Sequence, residues 1–150
     1  MCTFCSIINR ELEGYFVYED DKFAAILDKY PVSLGHTLVI PKNHFENYLE
    51  ADEDTLAELA KVVKLVSLGI KDAVKADGLR LLTNIGRSAG QVIFHLHVHI
   101  IPTWEGDYPD IFKGFKPRKE QEKEYYELLQ KIIRESIENL KRKIGDYKWG

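Results

Sequence analysis

The sequence predicts an α+β fold: a five-stranded antiparallel sheet with a crossing helix and a C-terminal helix. Three observations predict it. Five short runs rich in β-branched and aromatic residues are mostly joined by turn residues rather than long crossovers, which favours antiparallel neighbours. Between Leu56 and Val74 apolar residues recur at three- and four-residue steps, the mark of an amphipathic helix. A second stretch with the same period begins near Arg118.

At 150 residues the chain is read as a single domain, 1–150, with 103–150 forming a loop and a C-terminal helix extension. Residues 2–9 combine a Cys-x-x-Cys pair with Phe4, Ile7 and Ile8. Residues 15–18 and 23–27 read as a β-hairpin around the turn Glu19-Asp20-Asp21. Asp28 closes the second strand ahead of a turn at 31–35, where a carboxylate commonly accepts backbone N–H bonds. Residues 36–40 form the third strand, and His44 follows beyond Pro41. Acidic Glu50, Asp52, Glu53 and Asp54 suit the positive end of the following helix, whose stripe of Leu56, Leu59, Ala60, Val63, Val66, Ile70 and Val74 packs a core. Gly78 is expected to cap that helix, and 79–83 to be the fourth strand. After a Gly-rich turn at 84–90 comes the fifth strand, with Pro102 marking its end. From Arg118 onward Tyr126, Leu129, Ile133, Ile137, Leu140 and Ile144 step along one helix face, and Gly145 ends it.

Composition sets limits on function. Hydrophobic residues make up 45% and charged residues 30%, with a formal net charge of -3, so there is no general pull toward nucleic acid or an anionic membrane. No run is long and apolar enough to span a bilayer, and the N-terminus lacks a basic region followed by an apolar stretch, so the expected location is cytoplasmic. In that compartment Cys2 and Cys5 read as a metal pair or reduced thiols rather than a disulfide. Two thiolates are too few for zinc, so further ligands must come from elsewhere.

The chemistry concentrates in Gln91-Val92-Ile93-Phe94-His95-Leu96-His97-Val98-His99-Ile100-Ile101-Pro102. Strict alternation on a strand puts His95, His97 and His99 on one face and Leu96, Val98 and Ile100 on the other. A satisfied core histidine explains one such residue, but poorly explains three in register. Imidazole serves as nucleophile toward phosphorus, as acid or base near neutrality, and as metal ligand. His97, the middle member, is the favoured nucleophile, because a neighbouring imidazole or backbone carbonyl can hold one ring proton and leave the other nitrogen bare. His99, with the amides of Asn84 and Gln91, is placed to polarise phosphoryl oxygens and the leaving group. Nothing calls for magnesium, and no Walker-type phosphate loop is present.

The His-x-His-x-His run, preceded by Gly90-Gln91, resembles the signature of the histidine triad (HIT) family of nucleotide hydrolases and transferases. The segment from Gly35 to His44 is similar to that family's upstream stretch, and Cys2-Thr3-Phe4-Cys5 to the opening of its zinc-containing members. The likeness extends to about Pro102. It implies attack by His97 on the α-phosphorus of a dinucleoside polyphosphate, nucleoside phosphoramidate or adenylylated adduct, giving a covalent nucleotidyl-histidine that water resolves. It also implies structural zinc on Cys2, Cys5, His44 and His95, ribose hydroxyls on Asp28, and a homodimer. Phe4, Ile7, Ile26 and His36 join the nucleotide-binding set by the same likeness, although Phe4, Ile7 and Ile26 read equally well as core. Two departures concern the second half of a substrate: Thr103-Trp104-Glu105 replaces a basic residue common after the triad, and Val92 replaces a hydroxyl. Two other classes fit the same residues, a non-catalytic nucleotide-binding or sensing module and a zinc-stabilised interaction domain.

Overall fold

The computed structural model describes residues 2–107 and 118–143. The chain divides into two compact units, Met1–Phe112 and Lys113–Gly150.

The first unit contains α1 (Thr3–Ile8), β1 (Phe16–Glu19), β2 (Phe23–Leu27), β3 (Thr37–Pro41), α2 (Glu53–Val74), β4 (Gly78–Leu82) and β5 (Val98–Thr103). The strands form one antiparallel sheet in the order β1-β2-β3-β5-β4, the expected α+β architecture. Asp20 closes the hairpin between β1 and β2, its Oδ1 accepting the N–H groups of Lys22 at 2.8 Å and Phe23 at 2.7 Å.

Side-chain alternation sorts the two faces of the sheet. Phe23, Ala25, Val39 and Ile100, with Leu96 just ahead of β5, pack against Leu59, Val62, Val63 and Val66 of α2. Ile26, Leu38 and Ile40 project to the opposite face and pack against Phe4 of α1. His99 alternates with Val98 and Ile100 and so falls on the α1 face. Roughly 1.5–3 kcal/mol accompanies the full burial of each large apolar side chain, so both faces contribute to stability.

Four details differ from expectation, each for a local reason. α1 forms where no element was assigned, with Cys2 as its N-cap and Cys2 Sγ accepting the Cys5 N–H at 3.4 Å. α2 ends at Lys75 in a left-handed conformation (φ 54°), and Gly78 opens β4 instead of capping the helix, because Asp77 N–H already bonds Thr103 O at 3.0 Å. Pro102 lies inside β5 opposite Leu79 rather than ending it. The β3 pairing stops at Ile100, so β5 there has only β4 beside it and a donor missing on the other side costs no ladder bond. The largest difference is that only His99 of the triad lies on the strand. His95 and His97 precede it, because Leu96 N–H bonds the loop carbonyl of Phe45 at 2.7 Å and Thr83 Oγ1 takes the His97 carbonyl at 2.8 Å.

The described part of the second unit is α3 (Lys123–Lys143) with the five residues ahead of it. Tyr126, Leu129, Ile133, Ile137 and Leu140 keep the expected steps, while Ile144 and Gly145 lie outside the described residues.

Candidate functional site

All five histidines converge on the α1 face of the first unit, and for four of them hydrogen bonds dictate which ring nitrogen carries a proton. His95 is fully buried, and its Nε2 donates to the carbonyl of Pro41 at 2.7 Å. Its Nδ1 is therefore bare. That atom lies 3.3 Å from Cys2 Sγ, 3.5 Å from Cys5 Sγ and 3.1 Å from His44 Nδ1, while Cys5 Sγ lies 3.5 Å from His44 Nδ1. The four donor atoms all fall within 4.8 Å of one another. Tetrahedral zinc bonds of about 2.3 Å to sulfur and 2.0–2.1 Å to nitrogen separate neighbouring donors by roughly 3.3–3.8 Å. The cluster thus suits a four-coordinate thiophilic metal in both spacing and donor chemistry. Burial, followed by the neighbouring Cys2 thiol, pushes the Cys5 thiol above its ordinary range, a cost that a bound cation offsets.

His97 is 8% exposed, with Phe4 edge-on to its ring at a centroid distance of 5.0 Å. Its Nδ1 donates to the carbonyl of His95 at 2.6 Å, leaving Nε2 with a free lone pair. Burial lowers the pKa of His97, opposed by that carbonyl bond and by the charge of Asp28. The ring is accordingly neutral near pH 7, as a nucleophile requires.

A second chain of bonds orients His99. The backbone N–H of Val32 donates to His36 Nδ1 at 3.2 Å, so the proton of neutral His36 sits on Nε2. That nitrogen lies 2.9 Å from His99 Nδ1 and donates to it, which leaves the His99 proton on Nε2. Asp28 Oδ2 stands 3.5 Å from the same His36 nitrogen, and its Oδ1 accepts the Tyr30 N–H at 2.8 Å. Burial is the main force lowering His36, and it holds His99 down at about 4, aided by His97 and His36 and opposed by Asp28. Asp28, His36 and His99 also bring donor atoms within 4.8 Å of one another. Yet with His36 Nδ1 already accepting a backbone bond, its Nε2 keeps its proton and is closed to a metal. His36 and His99 are joined by one hydrogen bond, with the Asp28 carboxylate standing 3.5 Å from the donating His36 nitrogen.

The remaining candidates occupy the rim and the supports. Phe4 and Ile26 are buried together and Ile7 packs beside them, forming an apolar wall under α1. Asn84 is half-buried, with its Nδ2 3.6 Å from where a Cβ on Gly90 would lie. Gln91 is buried and spends its amide internally, accepting the Gly86 N–H at 2.9 Å and donating to Glu46 O at 2.7 Å and Ile93 O at 3.2 Å. These bonds tie the loop at Gly86 and the segment ahead of His95 to the carbonyl of Glu46. Sequence reading missed Thr83, which ties the end of β4 to the carbonyl of His97, and the backbone groups of Val32 and Pro41 that select the tautomers. No residue type signals a carbonyl or an amide, so only the folded chain reveals them.

Fold and site together define an α+β domain built around a histidine cluster in which His36, His95, His97 and His99 are each locked in one tautomer. The chain belongs to the HIT domain family, whose model matches residues 9–106. An uncharacterized HIT-like protein of Saccharolobus solfataricus is 54% identical over 140 residues, covering 93% of this chain and 100% of that one. The crystal structure of a hypothetical histidine triad nucleotide-binding protein from Sulfolobus tokodaii strain7 is 98% identical, with a TM-score of 0.70 over 99% of this chain and 100% of that one. Adenylylsulfatase HINT3 of Arabidopsis thaliana is 45% identical over 106 residues, 71% of this chain and 54% of its own length.

Proposed function

We propose that this protein is a nucleotide-binding hydrolase or transferase that attacks the α-phosphorus of a nucleotide conjugate through His97. The observation that carries the reading is the bond from His97 Nδ1 to the His95 carbonyl, which bares Nε2 in a buried, neutral ring. In the first step the Nε2 lone pair forms a P–N bond, and the bond from phosphorus to the leaving group breaks with its electron pair going to the leaving atom. The Nδ1–H bond to the carbonyl stabilises the positive ring that results. Water then attacks phosphorus, the P–N pair returns to Nε2, and the water's proton passes to solvent or to the departed group. His99 Nε2–H, held by His36, donates to a phosphoryl oxygen or to the leaving group, a role it shares with the Asn84 amide. Asp28 takes the ribose hydroxyls, and the wall of Phe4, Ile7 and Ile26 takes the base. Candidate substrates are dinucleoside polyphosphates, nucleoside phosphoramidates and adenylylated adducts, and one relative is named an adenylylsulfatase.

Structural zinc on Cys2, Cys5, His44 and His95 belongs to this reading, and no magnesium step is invoked. When bound, such a metal cross-links α1 to the nucleophile segment and leaves no open position for an activated water. In this reading 1–150 act as one functional domain, in the cytoplasm and as a homodimer. In support of the homodimer, β4 is a sheet edge, flanked by an apolar groove of about 480 Å³ that includes exposed Leu68 and Leu81.

Intact-mass measurement with an adenylyl donor tests the proposal. The wild type should gain one nucleotidyl group, and His97→Ala none. Nucleotide affinity without any adduct would make the protein a sensing module. Bound metal without nucleotide affinity would make it an interaction domain.

A further inference from the structure

The loop joining β4 to the nucleophile segment carries a cation that none of the roles above employs. The loop is pinned at both ends: Thr83 Oγ1 bonds the His97 carbonyl at 2.8 Å, and buried Gln91 holds the Gly86 N–H at 2.9 Å. Gly86 (φ 91°) and Gly90 (φ 94°) bracket a tight 3-10 turn, Arg87–Ala89, closed by Gly90 N–H to Arg87 O at 3.0 Å and Gln91 N–H to Gly86 O at 3.1 Å. The turn therefore presents Arg87 to solvent from a fixed base. Among the described residues the Arg87 guanidinium has no ion-pair or hydrogen-bond partner, whereas Arg10 and Lys42 are both held by Glu19. Val92, just beyond the loop, is 84% exposed and offers no hydroxyl in its place.

Sheet order gives this cation a direction. Asp28 at the end of β2 and His36 at the start of β3 flank β5 on one side, and β4 with its loop flanks it on the other. A nucleotide whose ribose sits at Asp28 and whose phosphorus sits at His97 extends its remaining substituent toward the β4 loop. The leaving group departs away from the attacking Nε2 with the P–O electron pair, so a negative oxygen develops on that flank. The chain has a formal net charge of -3, and a local cation is needed to receive such a group.

We infer that Arg87 is a specificity-determining residue, which binds the leaving group and selects oxyanionic ones, a phosphate chain or a sulfate, over neutral amines. This rests on the nucleotidyl-transfer reading above. Guanidinium suits both anions because its planar fork meets two oxygens at once, a geometry that lysine lacks.

The test compares wild type, Arg87→Ala and Arg87→Lys on diadenosine tetraphosphate, adenosine 5′-phosphosulfate and an adenosine phosphoramidate with a neutral amine leaving group. In Arg87→Ala the ratio of kcat/KM for the anionic substrates over the phosphoramidate should fall about ten-fold or more, the scale of one or two charge-assisted hydrogen bonds. Arg87→Lys should recover part of that ratio, and melting temperatures should coincide because Arg87 is exposed. A fall confined to the phosphate chain or to the sulfate identifies which anion the residue serves. An unchanged ratio, or an equal loss on all three substrates, overturns the inference while the nucleotidyl adduct on His97 still forms. Absence of that adduct in the wild type with every donor overturns the nucleotidyl-transfer reading and this inference with it.

Discussion

Removing the metal ligands should cost stability before activity, and the structure sets the scale. In Cys5→Ser, or after chelation, α1 loses its tie to His95 and His44 while the sheet and α2 keep their own core. A structural zinc that holds an entire small domain contributes about 10–16 kcal/mol, but here only a six-residue helix depends on it. The main apolar burial at risk is Phe4, 3% exposed, worth about 1.5–3 kcal/mol. For a chain of this size each kcal/mol shifts Tm by about 2–4 °C, which gives an expected loss of about 3–12 °C. Turnover at 25 °C should persist in part, since His97 keeps its carbonyl partner and loses only the ring of Phe4 against it. Metal analysis, a thermal melt and a turnover assay on the same samples check this, with about one zinc per chain expected. The structural-zinc assignment fails if purified protein holds no metal, or if Cys5→Ser retains as much as wild type. It also fails if stripped protein loses all turnover with its Tm unmoved, which would make the metal catalytic.

Three further outcomes follow from the same geometry. His97→Ala should abolish turnover with its circular dichroism spectrum retained, whereas His95→Ala should lower activity, metal content and Tm together; matching mild effects would refute separate roles. Asp28→Ala should weaken ribonucleotides more than analogues lacking the ribose hydroxyls, by about 1.5–3 kcal/mol per charge-assisted bond before compensation; equal weakening would leave Asp28 a turn residue that serves Tyr30 N–H. In metal-stripped protein, stability should fall as pH drops from about 6.5 toward 4, because His97 and His36 are held below their ordinary range and His99 at about 4. These rings take up protons on unfolding within that window, so their contribution is complete above it and is lost on acidification. A Tm that stays flat from pH 7 to pH 4.5 would contradict the depressed values.

How far the sequence determined the protein depends on how far apart the interacting residues lie along it. Strands, turns and α2 were legible because alternation, three- and four-residue steps and the acidic cap at Asp52 are local signals. The side-chain alternation of His95, Leu96, His97, Val98, His99 and Ile100 held even though the strand itself starts only at Val98, because packing of Leu96 and Ile100 into the core orients the residues between them. The fold gathers Cys2, Cys5, His44 and His95 into one set of donor atoms, yet Cys2 and His95 stand 93 positions apart. Periodicity contains nothing about such a pair, and a family likeness supplied it. Chemical state was decided only by tertiary structure. His97 owes its bare Nε2 to a carbonyl two residues away, His95 its bare Nδ1 to the carbonyl of Pro41, and His99 its Nε2 proton to His36 and the amide of Val32. Every residue carries a carbonyl and nearly every one an amide, so which of them meets an imidazole is set by packing across the sheet and leaves no mark in the order of side chains.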